Sequence, residues 1–288
     1  MRTVGIIAGT GRNGDRVQSL AHPWLAPAAG VQRCAAHARR GETAMATQMV
    51  GRSRWSAERR FYTFMTLAIF VAVYVGFART FFLRPWFPEF AARMSPAEPF
   101  FYFHGAVFTA WFVVLLVQPA LVGIGRTDLH KAFGRIGAGV AASVVVVGLI
   151  GTVLAARRPG GFIGVPLPPE RFMAIPFTDM ALFAVLIGAA LLLRRDAQSH
   201  KRLMLLGSIA IINAALARWP VVFESGGPVL MFVLADLFLV PLVIWDLKTR
   251  GRLHPATLWG GLLVVASQPF RLWLMNTDTW FALAGRLL

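Results

Sequence analysis

Four histidines near the starts of apolar runs are the first residues whose type suits chemistry. His130, His200 and His254 each precede a long apolar run, and His104 opens another. The positive end of a helix dipole disfavours imidazolium at a helix N-terminus. Neutral imidazole is also the form that ligates transition metals or haem iron. These histidines are therefore candidate ligands of a transition metal or of haem b, and the alternative is that they cap their helices.

Polar residues inside the apolar runs form a second candidate site. At 1.5 Å of rise per residue, they lie about 12 to 16 Å from the predicted inner surface, on four different segments. An acid at that depth is by default a functional candidate, and we expect Arg271 to pair with Asp236, with Arg218 as the second choice. The set is either an interhelical polar clamp or the lining of a solute or proton site. Its members are Gln118, Asn213, Asp236 and Gln268.

A third candidate is an ion pair between two neighbouring segments. Residues 178–220 contain two apolar runs joined by a basic stretch at 194–202, which predicts a transmembrane hairpin with its turn in water. Asp179 lies about 22 Å above that turn and Arg218 about 24 Å above it. The sequence predicts that the two pair, or that each reaches the outer headgroups by extending its side chain.

Composition assigns the chain to the membrane class. The hydrophobic fraction is 57% and the charged fraction only 15%, and that balance is typical of polytopic membrane proteins. The net charge of +16 is spread over short loops and an N-terminal tail. It therefore suits a bilayer with anionic headgroups and not a nucleic acid. No H-E-x-x-H motif or Ser/His/Asp constellation appears, so the residues name no hydrolytic reaction.

Seven apolar segments predict an all-α, polytopic helical bundle. One set of loops carries fourteen Lys and Arg residues and the opposite set nine. The positive-inside rule then places the N-terminus in the cytoplasm. The segments run over residues 62–83, 101–124, 133–156, 172–193, 203–219, 229–245 and 258–275.

The N-terminal 60 residues lack the apolar content for a core. Residues 1–60 are predicted to be a disordered basic tail, and residues 61–288 the transmembrane domain. The alternative is that translation begins at Met45 or Met49, ahead of a juxtamembrane group of arginines. Residues 1–44 would then lie outside the natural protein.

Glycines and prolines in the apolar runs predict where helices approach and bend. Each of three histidines is followed seven positions later by a glycine, which lets a neighbouring helix come close. Prolines inside helices remove a backbone donor and kink them. The glycine pairs are His130/Gly137, His200/Gly207 and His254/Gly261, and the prolines are Pro119, Pro241 and Pro269.

Short motifs resemble those of small uncharacterised bacterial multi-pass membrane proteins. They are Asp128-Leu-His-Lys-Ala-Phe-Gly-Arg, His200-Lys-Arg-Leu-Met-Leu-Leu and Gly251-Arg-Leu-His-Pro-Ala-Thr-Leu-Trp-Gly-Gly. This resemblance implies that the bundle lies in the inner membrane of a bacterial cell. More loosely, the chain is similar to bis-histidine b-type membrane cytochromes. Those proteins place paired histidines inside facing helices, whereas the histidines here lie at helix ends.

Two functions follow from these candidate sites. The polar set favours a small-solute or proton-coupled transporter, or a partner within a membrane complex or homo-oligomer. The histidines favour a haem- or metal-binding redox protein.

Overall fold

Helices make up nearly all of the structure, a computed structural model that describes residues 57–88, 99–162, 165–219 and 222–288. Within those ranges there is no strand. We number the helices α1 Ala57–Phe82, α2 Pro99–Gly123, α3 Thr127–Ala156, α4 Pro169–Leu192, α5 Ala197–Ala210, α6 Asn213–Leu216, α7 Val222–Asp236, α8 Val240–Arg250, α9 Pro255–Leu274 and α10 Asp278–Gly285.

All described residues belong to one compact unit, Arg54–Leu288. The predictions about residues 1–56 of the tail, including disorder and a start at Met45 or Met49, fall outside the described residues and stay predictions. The last four residues predicted to belong to the tail, 57–60, instead begin α1.

Five stretches are long and apolar enough to cross a membrane. They are α1, α2, α3, α4 and the run Gly227–Arg250, which spans most of α7 and all of α8. The fold is therefore all-helical and compatible with a multi-pass membrane protein, as composition predicts. The other two predicted segments correspond to α5 with α6 and to α9, which are not among the five. Helix α5 has only 14 residues, so seven crossings stay a prediction. The cytoplasmic location of the N-terminus also stays a prediction.

Two of the predicted segments are broken helices. The run predicted over 203–219 stops at Ala210, and a short second helix starts at Asn213. The run predicted over 229–245 stops at Asp236 and resumes at Val240. Pro241 has no N–H to bond the backbone oxygen of Leu237, four residues earlier. Within the break, the Leu239 N–H bonds the oxygen of Asp236, three residues earlier, at 2.8 Å.

Glycines bring neighbouring helices into contact, as two of the three histidine–glycine pairs predict. A Cβ on Gly137 would lie 2.9 Å from Val114 of α2, and one on Gly207 would lie 2.6 Å from Ile187 of α4. Gly261 meets nothing within 4 Å, and its neighbour Gly260 makes the close approach instead. Helices α2 to α5 and α9 thereby pack into one core.

A buried ion pair fixes one end of this core. The Arg202 side chain of α5 is 1% exposed and pairs with Asp246 of α8, which is fully buried. The Arg202 Nε donates to Asp246 Oδ1 at 3.0 Å. The other carboxylate oxygen accepts from the Thr257 hydroxyl at 2.6 Å and from the His254 N–H at 3.0 Å. One carboxylate therefore joins the start of α5, the end of α8 and the start of α9.

We predict that Asp246→Ala lowers the free energy of unfolding by about 3–5 kcal/mol, because it leaves the Arg202 charge buried without a partner. The measurement is unfolding of the purified protein in mixed detergent micelles. The matched control is Asp128→Ala, which removes an exposed carboxylate paired with Arg126 and should change little, since exposed pairs contribute little. Equal losses in the two variants would contradict the role given to Asp246.

Candidate solute site at a helix break

An acid, a base and an amide meet in the core at the end opposite to Arg202. Asp179 of α4 is 5% exposed and Arg271 of α9 is 1% exposed. The Arg271 Nη1 donates to Asp179 Oδ1 at 2.5 Å. The Asn213 Nδ2 donates to the same oxygen at 3.0 Å. Three separate helices thus supply one buried polar cluster, which we call the Asp179 cluster.

The break between α5 and α6 positions the amide of this cluster. Asn213 is the first residue of α6, directly after the turn that ends α5. Its Nδ2 also donates to the backbone oxygen of Ala210 at 3.2 Å. A broken helix leaves carbonyl oxygens without their N–H partners, so this side chain replaces a lost backbone bond while it holds Asp179.

Two atoms of the cluster have no hydrogen-bond partner among the described residues. They are Asn213 Oδ1, an acceptor, and Arg271 Nε, a donor, and both are buried. The Arg271 guanidinium carbon lies 5.3 Å from the centre of the Phe232 ring, a distance typical of a cation–π contact. Buried polar atoms rarely stay unpaired, which makes this cluster a candidate site for a small ligand or a water.

The ion-pair partners differ from those predicted. Arg271 pairs with Asp179, whereas the sequence predicted Arg271 as the partner of Asp236 and gave an Arg218 pair as one of two alternatives for Asp179. Arg218 instead donates to Ala214 O at 2.6 Å and lies over the Phe77 ring at 4.6 Å. Both expected pairings are wrong, because helix depth alone cannot tell which neighbouring helix a side chain faces.

The four polar residues predicted near the midplane take part in three separate contacts. Asn213 belongs to the Asp179 cluster, while Gln268 donates to Asp236 Oδ1 at 2.7 Å. Gln118 donates to the backbone oxygen of His130 at 3.2 Å. Asp236 and Gln268 are half-buried, so the acid expected to be most informative lies in a less enclosed place than Asp179.

The candidate histidines do not converge on one point. His254 caps α9, because its Nδ1 accepts the Ala256 N–H at 3.1 Å. His104 stacks on Phe108 with ring centres 4.3 Å apart. His130 and His200 are neighbours, with ring centres 6.5 Å apart. In the part of the chain that the structure describes, no group of three or more His, Cys, Asp or Glu side chains is suited to a metal.

Two capping residues in the loops have shifted pKa values. The Ser199 hydroxyl, and then the Gln198 N–H, hold the pKa of Asp196 below its ordinary range. Burial, followed by the guanidinium groups of Arg202 and Arg250, lowers the pKa of His254, while Asp246 and Asp196 partly oppose this. The imidazole of His254 is therefore held neutral, as its role as an acceptor requires.

The buried contacts of Arg202 with Asp246 were not anticipated from the sequence. Arg202 ends a basic stretch that predicts a turn in water, and Asp246 lies at the end of an apolar run. Both positions suit exposed contacts with lipid headgroups equally well, and no motif distinguishes such contacts from a buried ion pair.

No protein-family model matches the chain, and no curated protein or solved structure matches it. The resemblances drawn from its short motifs therefore have no support beyond the apolar, all-helical architecture.

We predict that Asp179→Asn lowers the free energy of unfolding by about 3–5 kcal/mol, because the charge of Arg271 then stays buried without an anionic partner. The double variant Asp179→Asn/Arg271→Gln should recover part of that loss, since neither charge then remains. Unfolding in mixed micelles measures both, and Asp236→Asn, at a half-buried carboxylate, is the milder control. Strictly additive losses in the double variant would show that the two side chains do not interact.

A pH dependence follows from the His254 cap. The unfolded chain takes up a proton near pH 6.5, about the ordinary pKa of histidine, whereas folding lowers that pKa. The contribution of the cap is therefore complete above about pH 6.5 and is lost as the pH falls toward the folded-state pKa. His254→Asn keeps a capping acceptor that does not titrate, so its unfolding free energy should fall less steeply with acid. Parallel pH profiles would contradict this assignment.

Proposed function

We propose that this protein is a multi-pass membrane transporter that couples movement of a small anionic solute to movement of a proton. The observation that carries the proposal is the Asp179 cluster, a buried ion pair beside a helix break with one acceptor and one donor unpaired. The loop charges favour an N-terminus in the cytoplasm, and a bacterial inner membrane is the location that the motif resemblance favours.

Charge balance in the cluster supports coupling of an anion to a proton. Arginine stays protonated in proteins, so the buried Arg271 side chain needs one anion beside it. Asp179 supplies that anion when it is ionised. A solute anion can replace it only when Asp179 carries a proton, since two anions or none would leave a buried charge without a partner. Proton and anion therefore enter and leave together.

The helix breaks support a transport path. Non-helical backbone within a membrane is tolerated where it is enclosed by protein or lines a cavity. In many transporters the substrate sites lie at broken helices near the midplane. Here α5 breaks directly before Asn213, and α7 breaks directly after Asp236. In α9, Pro269 precedes Arg271 by two residues and removes a backbone donor.

The unpaired atoms specify what the solute offers. Arg271 Nε is a donor and favours an anionic oxygen, whereas Asn213 Oδ1 is an acceptor and favours a hydroxyl or N–H. The Asp179 cluster therefore suits a small anion that also carries a hydrogen-bond donor.

A second role, as a partner in a complex or homo-oligomer, draws support from Asp236. Asp236 and Gln268 are half-buried in the single chain and lie among exposed apolar residues such as Val233, Leu237 and Val265. A carboxylate that faces lipid is costly, so a neighbouring membrane protein or a second copy would stabilise this face.

We predict proton movement that depends on an added anion. Vesicles that contain the protein and an internal pH-sensitive dye should acidify when an inward gradient of succinate, lactate or inorganic phosphate is applied. Asp179→Asn should abolish the acidification, because residue 179 can then no longer bind and release a proton. Asp236→Asn is the matched control, an intramembrane carboxylate that the mechanism does not use, and should retain the acidification.

Two outcomes would overturn the proposal. The first is that no anion of the panel produces acidification above that of protein-free vesicles. The second is that Asp179→Asn vesicles acidify as fast as the wild type, which would leave the ion pair with a structural role alone.

A further inference from the structure

Two histidines and a glutamine lie together at the ends of their helices, outside the Asp179 cluster. His130 is in the first turn of α3, His200 in the first turn of α5 and Gln118 near the end of α2. From this arrangement we infer that His130, His200 and Gln118 bind one transition-metal ion. The inference does not rest on transport by the Asp179 cluster.

His130 and His200 are neighbours, and the tautomer of His200 is defined. The ring centres of His130 and His200 are 6.5 Å apart and the rings are perpendicular. The Nδ1 of His200 lies 2.8 Å from the backbone oxygen of Ala190. A carbonyl oxygen only accepts, so this nitrogen carries the proton and Nε2 keeps its lone pair. A bond from the second ring nitrogen to a carbonyl is typical of metal-binding histidines.

Acceptor atoms outnumber donors in this cluster. His130 Nδ1 and Gln118 Oε1 are both buried and lack a hydrogen-bond partner in the described part of the chain. The Gln118 amide nitrogen is already used, since it donates to the backbone oxygen of His130 at 3.2 Å. When the proton of His130 is on Nε2, three lone pairs have no assigned donor among the described residues: those of His130 Nδ1, Gln118 Oε1 and His200 Nε2. A bridging water donates only two hydrogen bonds, whereas a metal ion can accept all three lone pairs.

The packing around the cluster favours a single ion over a haem. A Cβ on Gly134 would lie 3.5 Å from the Gln118 amide nitrogen, and one on Gly137 would lie 2.9 Å from Val114. Helices α2 and α3 therefore touch beside His130 and leave no width for a porphyrin between them. Two imidazoles and an amide oxygen suit zinc, copper, nickel or cobalt, and they leave coordination positions open.

The test is a titration of the full-length protein in detergent with Co²⁺ and Zn²⁺, after removal of metal by a chelator. Cobalt absorption reports imidazole ligation directly, and Zn²⁺ competition gives the affinity. We expect one ion per chain in the wild type. His130→Ala and His200→Ala should each weaken binding by at least about tenfold, the scale of losing one ligand or its support. Gln118→Ala should weaken it less.

Matched controls separate loss of a ligand from loss of the fold. His104→Ala removes a partly buried histidine that stacks on Phe108, and His254→Asn removes a histidine that caps α9. Both should bind Co²⁺ as the wild type does. Size-exclusion profiles identify any variant that fails to fold. If His130→Ala fails to fold, His130→Gln replaces it.

Three results would overturn the inference. One is the absence of stoichiometric Co²⁺ or Zn²⁺ binding by the wild type. Another is equal weakening in the His104 and His254 controls. The third is a Soret band in the purified wild type that disappears in His130→Ala, which would replace the ion by a haem.

Discussion

Helix α9 is held at both ends by buried ion pairs, and the arrangement of the other helices depends on this constraint. At its start, Asp246 accepts from Thr257 and from the backbone of His254 while it pairs with Arg202. At its end, Arg271 pairs with Asp179. The two clusters connect α4, α5, α6, α8 and α9. An apolar bundle in lipid gains little from burying more carbon, so directional polar contacts decide which helices are neighbours.

Only in the Arg202–Asp246 pair do all polar side-chain atoms have hydrogen-bond partners, and this difference suggests a structural role for that pair and a functional role for the Asp179 cluster. The Asp246 carboxylate accepts from an arginine, a hydroxyl and a backbone N–H, and Arg202 also donates to Gln198. The Asp179 cluster leaves Asn213 Oδ1 and Arg271 Nε without partners in the described residues, beside a break in the backbone. A saturated pair stabilises one arrangement, whereas an incomplete pair can exchange partners. This contrast is the reason that we propose transport at the Asp179 cluster.

Several features followed from local rules that the sequence carries. Composition predicts a helical membrane protein, and the described chain is helical with five stretches suited to cross a bilayer. Gly137 and Gly207 mark close helix contacts as their spacing from histidines predicts. The break after Asp236 lies beside Pro241, where the sequence predicts a kink. The break after Ala210 was missed because the run over 203–212 is apolar apart from Ser208, and hydrophobicity alone does not distinguish one helix from two.

Sequence by itself determined the level of each charged residue along its helix, but not the partner of that residue. A fixed rise per residue gives depth, so the sequence predicts that Asp179 and Arg218 lie far from the basic turn. The direction in which a side chain points depends on helix rotation and on which helix packs beside it. These are set by distant contacts, such as Gly260 against Leu206. Tertiary structure alone therefore decided that Asp179 meets Arg271 and that Arg202 is buried with Asp246.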